Sequence, residues 1–357
     1  MNRGVHVLMG LDQHQTIVER MARKHIQQPV KTDPRSWRGD LGGEGRILPQ
    51  EYVAQRLMSH EDAQYVIKNV AAYRYTEETR IARIYMEYAP HGDLHDLLKL
   101  HQQAQRRVTE PFLWVVFRAL IESAFIMKYG SLDKKSKPKD WLEIVHRDLK
   151  PSNILLSTND SGHFNMYPRP KLSDFGLSIL TSEDDTCNPY LYVGASTQGY
   201  LAPEQKLFHD PVSTKYVDDD EMLYPCNIWA IGAVMYALMT LTTLDSSTPD
   251  RQLPYHVTTD PPTGREFELD LRSKVDAKWP GLPYSVELMH YVQRCLRFQV
   301  RDRYTADELL EICQIRFAKS RLLNDLFSGI PRDKPPRRVL HKPETQAYRL
   351  GLIYQPG

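Results

Sequence analysis

The octet His146-Arg147-Asp148-Leu149-Lys150-Pro151-Ser152-Asn153, followed twenty-one residues beyond its asparagine by Asp174-Phe175-Gly176, constrains this chain more than any other stretch. An acid, a lysine two places on and an asparagine five places on form one compact loop. A second acid then stands on a glycine turn. Transfer of a phosphoryl group from ATP needs a group that orients the attacking hydroxyl, a cation on the moving phosphoryl and oxygen ligands for magnesium. These residue types supply all three, provided the fold brings loop and turn together. A tight surface turn with incidental charges is the plainer reading, and the length and order of the motif argue against it.

At 357 residues the chain has room for one large or two modest domains and a real core. Its 46 basic and 45 acidic side chains leave a net charge of +1, which argues against general binding of nucleic acid or membrane through charge. Cys187, Cys226, Cys295 and Cys313 lie far apart with no Cys-x-x-Cys spacing. That is the pattern of reduced thiols in an intracellular protein, cytoplasmic or nuclear, rather than of a disulfide framework or zinc site. The start of the chain lacks the sustained apolar core of a secretory signal. The most apolar run, Ile228 to Leu241, has 14 residues, too short to span a bilayer and suited to a buried helix.

Residues 1–88 mix strand-like runs with one helix. Thr16 to Lys24 and Ile81 to Tyr88 are rich in β-branched or aromatic residues and read as strands. Pro49 to Ser59 reads as a helix opened by proline. From Gly92 onward the pattern is helical. Glu110 to Lys128 carries Phe112, Val115, Val116, Leu120, Phe125 and Met127 at the spacing of a buried helix, and Ile228–Leu241, Ser285–Phe298 and Thr305–Phe317 continue that style. Polar insertions at 130–140, 158–169 and 211–221, the last with Asp218-Asp219-Asp220-Glu221, read as solvated surface loops. Residues 319–357 hold 8 Lys/Arg against 3 Asp/Glu and read as a tail. Within it, Lys334 to Arg338 reads as plain solvated chain, with a nuclear-import or partner-binding patch as the alternative.

On the octet, the Asp-Phe-Gly and a later Ala202-Pro203-Glu204, the chain resembles the eukaryotic protein kinases of serine/threonine type over roughly residues 1–318. The resemblance implies an α+β, two-lobed fold: a small β-rich lobe (1–88), a large helical lobe (89–318) and a basic, proline-containing tail (319–357). It implies a phosphotransferase that uses ATP and Mg2+ and acts on serine or threonine hydroxyls of protein substrates, with the regulatory partner left open. Asp148 matches the aspartate that takes or orients the hydroxyl proton, and Asn153 and Asp174 match the magnesium ligands. Lys150 matches the lysine that stabilises the transferred phosphoryl and points to serine/threonine specificity. Thr197 matches the threonine kept beside the catalytic aspartate, and Glu204 should pair with Arg303. Arg147 implies a positive pocket that a phosphorylated residue of the activation segment would neutralise; Thr181, Ser182, Thr186, Tyr192 and Ser196 are candidates.

In the small lobe the resemblance makes Lys24 the holder of the α/β-phosphates and Ala22 an adenine contact. Glu51 is then the lysine's partner. A surface lysine and a first-turn glutamate favoured by the helix dipole are the alternative, and Lys31 is the rival lysine. Met86 stands as gatekeeper, Glu87 and Ala89 as hinge residues whose backbone bonds adenine, and Leu155 joins the nucleotide-binding set. Three departures stand out. Only Gly4 and Gly10 precede Lys24, in no G-x-G-x-x-G spacing, so the glycine lid is either truncated or degraded. Asn227 occupies a position usually held by aspartate, and Gln55 stands where an apolar residue is expected. They keep a second reading open, a catalytically impaired kinase-like scaffold acting through partners, with a small-molecule phosphotransferase of related fold as a third.

Overall fold

The computed structural model describes residues 4–28, 37–38, 48–158, 167–189, 191–192, 196–205, 221–244, 271–281, 283–297, 299–318, 339–345 and 349–354. Lys31, the Asp218–Asp220 run, most of the 158–169 insertion and Lys334–Arg338 lie outside them.

The small lobe is an antiparallel sheet with one helix against it. In chain order come β1 (Val5–Leu11), β2 (Ile17–Gln27), the short pair β3 (Trp37–Arg38) and β4 (Leu48–Pro49), α1 (Gln50–Leu57), β5 (Asn69–Thr76) and β6 (Ile81–Glu87). Four of the strands form one sheet in the order β1-β2-β6-β5. Its register sets Ala22 opposite Met86 and Lys24 opposite Ile84. Alternation along β6 buries Ala82, Ile84 and Met86 on one face, as a half-buried strand requires. Ile67, Ile84 and Met86 form a small apolar cluster joined by Ile26, Tyr52, Ala89 and Leu155.

The large lobe is built on α2 (Leu94–Gln103) and α3 (Glu110–Tyr129), with Asp93 capping the first by accepting from the Asp96 amide. α3 ends at Gly130, whose φ of 78° supplies the left-handed cap. The sequence reads as helical throughout this half, yet two short antiparallel strand pairs interrupt it. β7 (Glu143–Val145) pairs with a later strand, and β8 (Ile154–Ser157) pairs with β9 (Arg169–Leu172). The partner of β7 is β10 (Ile179–Thr181). These strands are three or four residues long, too short for periodicity to register. α4 (Tyr224–Thr240), α5 (Leu271–Lys278), α6 (Val286–Cys295) and α7 (Ala306–Ala318) complete the lobe. α4 is buried from Pro225 to its end, so the apolar run is the centre of the core. Gly232 lets α6 approach closely: a Cβ there would stand 2.9 Å from Cys295 Cβ. Among the described residues no helix is long and apolar enough to cross a membrane.

Two pieces of the basic tail, residues 339–345 and 349–354, pack onto the body. Val339 is buried in the main core, and Ile353 bridges to Thr16 beside β2.

Candidate active site

Between the lobes, three charged side chains meet. Lys24, in the middle of β2, is buried, and its ammonium pairs with the Glu51 carboxylate on the first turn of α1. It also lies 2.8 Å from Asp174 Oδ1. Asp174 sits in the left-handed region at φ 63° and caps a short 3-10 turn by accepting from the Gly176 amide. That conformation holds Phe175 fully buried beside the His146 ring, 4.9 Å away. Burial raises the Asp174 carboxyl, but the Lys24 charge and hydrogen bond pull it below the ordinary value. Lys24 is likewise held above its ordinary value: burial opposes the charge, and Glu51 and Asp174 outweigh it.

The octet forms the opposite wall. The Thr197 hydroxyl donates to Asp148 Oδ1 at 2.6 Å. Lys150 Nζ donates to Thr197 Oγ1 at 2.7 Å and pairs with Asp148 Oδ2 at 2.8 Å. Asn153 Nδ2 donates to the Asp148 carbonyl at 2.8 Å and to its Oδ2 at 3.1 Å. The Asn153 carbonyl then accepts from the Ser173 amide at 2.8 Å, one residue before Asp174. Two segments far apart in sequence are thereby fixed as one unit.

Asn153 Oδ1 and Asp174 Oδ2 accept no hydrogen bond from the described residues. Two free hard oxygen donors on adjoining segments fit magnesium, which takes one or two protein ligands and completes its shell with phosphate oxygens and water. No cluster of three or more His, Cys, Asp or Glu suited to a metal occurs among the described residues. Ala22 and Met86 stand paired across β2 and β6, and Ala89 and Leu155 pack against the small apolar cluster that holds Met86. At the hinge, the Glu87 amide donates to the Lys68 carbonyl at 3.0 Å. The Glu87 side chain pairs with Lys171 at 2.5 Å. Lys171 carries no sequence signal of its own; burial pushes its ammonium below the ordinary value, and Glu87 opposes that.

The departures have local explanations. Asn227 accepts from the His146 amide at 3.0 Å and donates to the Ile144 carbonyl at 2.9 Å, so its amide serves two backbone groups at once. Gln55 is buried and donates to the Ile67 carbonyl. The turn between β1 and β2 is closed by the Asp12 carboxylate, which accepts from the His14 and Thr16 amides at 2.8 and 2.9 Å. Gly4 precedes β1 and Gly10 lies inside it, so neither glycine forms a phosphate-cradling turn.

In the activation segment, Glu204 and Arg303 form a buried bidentate pair at 2.5 and 2.8 Å. Arg303 also donates to the Arg297 and Pro225 carbonyls. Arg147 donates to the Leu177 and Tyr192 carbonyls. Of the candidate phosphorylation sites, Thr181 is buried and bonded to Asp185 and Asn188, and buried Tyr192 is bonded to Asp185. Thr186 is exposed, and Ser182 and Ser196 are half-buried.

A two-lobed molecule with a lysine–glutamate pair above and an aspartate–lysine–threonine loop below defines a class. The sequence model of the protein kinase domain matches residues 12–313, and the chain belongs to that family. It is 27% identical over 302 residues to the G2-specific protein kinase nimA of Emericella nidulans, covering 78% of this chain and 37% of that protein. It is 29% identical over 278 residues to the serine/threonine-protein kinase Nek9 of Xenopus laevis, covering 75% and 23%. With mitogen-activated protein kinase kinase 2 of Arabidopsis thaliana it shares 26% over 268 residues, covering 72% and 59%. The chain thus spans well under half the length of the first two of these relatives.

Proposed function

We propose that the chain is a serine/threonine protein kinase that transfers the γ-phosphoryl of Mg-ATP to hydroxyls of protein substrates. The observation that carries the reading is the Thr197 hydroxyl bridging Asp148 and Lys150. Asp148, held by Thr197 and Asn153, presents a carboxylate to the incoming hydroxyl and takes up or orients its proton. Lys150 lies against the same carboxylate, where its charge offsets the negative charge on the phosphoryl in flight. Lys24, kept protonated and aimed by Glu51, holds the α/β-phosphates. Asn153 and Asp174 hold magnesium, which when bound neutralises phosphate charge. Ala22, Leu155 and the backbone at Glu87 and Ala89 receive adenine. The widely spaced cysteines support an intracellular setting, cytoplasmic or nuclear.

The impaired-scaffold reading is disfavoured, because the Lys24, Glu51, Asp148, Asn153 and Asp174 side chains are all present and mutually arranged. The small-molecule reading is disfavoured by the Glu204–Arg303 pair. A radiolabelled-ATP assay on a serine/threonine-containing protein substrate tests the proposal, comparing wild type with Asp148→Asn and Asp174→Asn. Label should appear on serine or threonine. Asp148→Asn should lose several orders of magnitude in rate while still binding Mg-ATP, and Asp174→Asn should lose metal-dependent nucleotide binding itself. Equal transfer by wild type and Asp148→Asn, or label mainly on tyrosine, would sink it.

A further inference from the structure

The tail touches both lobes on the hinge side of the molecule. At the large lobe, Val339 is buried in the core, and the Leu340 amide donates to His101 Nε2 on α2 at 3.0 Å. Lys342 Nζ pairs with Asp96 Oδ2, also on α2, at 2.8 Å. The Lys342 carbonyl lies 3.2 Å from His91 Nδ1, and the His341 ring meets the His91 ring edge-on at 4.9 Å. Four contacts therefore fix residues 340–342 to α2 and the end of the hinge, beside the burial of Val339.

At the small lobe the attachments are of a different kind. Glu344 pairs with Arg20 on β2, and both side chains are mostly buried, at 23% and 11% exposure. Arg20 in turn lies 5.0 Å over the Tyr88 ring of the hinge. Farther on, the Gly351 amide donates to the Ile17 carbonyl and the Ile17 amide donates to the Leu352 carbonyl, each at 2.9 Å. The Tyr354 amide donates to the Gln15 carbonyl at 2.8 Å. Residues 351–354 thus extend the β1–β2 hairpin by a short stretch of ladder.

The strand so held is the one that carries the nucleotide residues. Arg20 lies two places before Ala22 and four before Lys24 on β2. Along a strand these are fixed offsets, so a rigid shift of Arg20 against α2 moves Ala22 against Leu155 and Lys24 against Asp174. The hinge alone leaves such a shift free. A second connection from α2 to β2 removes it, and a protein whose competent arrangement is only fractionally populated binds more weakly by that fraction. The turn between β1 and β2 is closed by Asp12 rather than by glycine amides, which leaves placement of β2 a larger share of nucleotide binding.

We propose that the tail is a positioning element for the nucleotide, with Glu344 and Tyr354 as positioning residues that act through Arg20 and the β1–β2 hairpin without touching ATP. This rests on the kinase reading for what is positioned, and the attachments stand without it. Loss of an attachment should weaken Mg-ATP binding and raise KM for ATP, while the rate at saturation persists because Asp148 and Lys150 belong to the large lobe.

The test uses the full chain as wild type, Glu344→Arg, Arg20→Glu, the double swap, and Tyr354→Pro, which removes the amide donor to Gln15. Affinity for a fluorescent N-methylanthraniloyl-ATP with Mg2+, KM and kcat for phosphate transfer, and the thermal midpoint are measured for each. Both Glu344→Arg and Tyr354→Pro should raise Kd and KM by about fivefold or more, with kcat within about twofold. The double swap should bring Kd back to within about twofold of wild type. Unchanged Kd in both single variants, a loss confined to kcat, or a loss that the swap leaves uncorrected would overturn the proposal. A wild type that binds the nucleotide analogue and transfers nothing would overturn the kinase reading and leave Kd to decide the positioning one. A wild type that binds no nucleotide overturns both.

Discussion

Asn227 shows how one atom's chemistry can be set by its neighbours. A carboxylate there would accept from the His146 amide but have no proton for the Ile144 carbonyl, which now receives one at 2.9 Å. Asn227→Asp, a change toward the residue usual at this position, should therefore destabilise the fold by about 1–3 kcal/mol, the cost of a stranded buried acceptor. Urea denaturation at neutral pH reads it, and an unchanged midpoint would show that the site relaxes. Lys24 makes the companion case. Met fills much the same volume without the charge, so Lys24→Met should abolish transfer while the circular dichroism of the folded chain persists, with a lowered melting midpoint because buried Glu51 loses this cation. Full activity in Lys24→Met, lost instead in Lys31→Met, would move the phosphate-holding role to Lys31. Both residues were readable as anomalies or motif members in the sequence. The Lys24–Glu51 pairing was readable too, but the contacts with Ile144 and Asp174 were not, since only the fold brings them there.

Segments were legible where they are long and periodic. The helices at 110–129 and 224–240 and the strands at 17–27 and 81–87 lie within a few residues of their expected bounds, because a buried face repeated over several turns leaves a pattern. The strand pairs at 143–145 with 179–181 and at 154–157 with 169–172 left none; they flank the catalytic loop and the Asp-Phe-Gly turn and hold them side by side. The activation segment is pinned at its far end by Glu204 and Arg303. Arg303 donates hydrogen bonds to Glu204 and to the Arg297 and Pro225 carbonyls together, tying the 203–205 turn to the start of α4 and to the chain before α7. Arg303→Met would leave a carboxylate buried with no cation. We expect a loss of about 3–5 kcal/mol, seen as a lower urea midpoint, with hydrogen exchange rising first around residues 196–205. A variant as stable as wild type would mean that water reaches Glu204.

For the molecule as a whole, two buried imidazoles set an acid limit. His146 lies between the Ser173 carbonyl, 3.1 Å from Nε2, and the Asp148 amide, which donates to Nδ1 at 3.3 Å. His101 lies between the Arg106 carbonyl and the Leu340 amide in the same way. In each ring one nitrogen must give a proton and the other must lack one. Burial depresses both below the ordinary 6.5, with the Ser173 and Arg106 carbonyls opposing. The unfolded chain thus takes up protons below about pH 6.5 that the folded chain refuses until lower pH. Stability is full above that value and falls as pH drops beneath it. A urea midpoint that is the same at about pH 7.5 and about pH 5.5 would contradict the neutral rings. Asp174 acts in a separate window, below its ordinary 3.8, where its lowered carboxyl is finally neutralised. His101 is also where the tail is tied, and the tail's ladder joins Thr16 to Ile353, nearly opposite ends of the sequence. During synthesis the β1–β2 hairpin leaves the ribosome long before the residues that finish its ladder. Closing so long a loop costs little more than closing one half its length, about 0.6 kcal/mol per doubling. The delay is therefore one of order rather than of energy: on the positioning role proposed for the tail, a nascent chain would gain its full grip on a nucleotide only after residues 351–354 have emerged and paired with the hairpin.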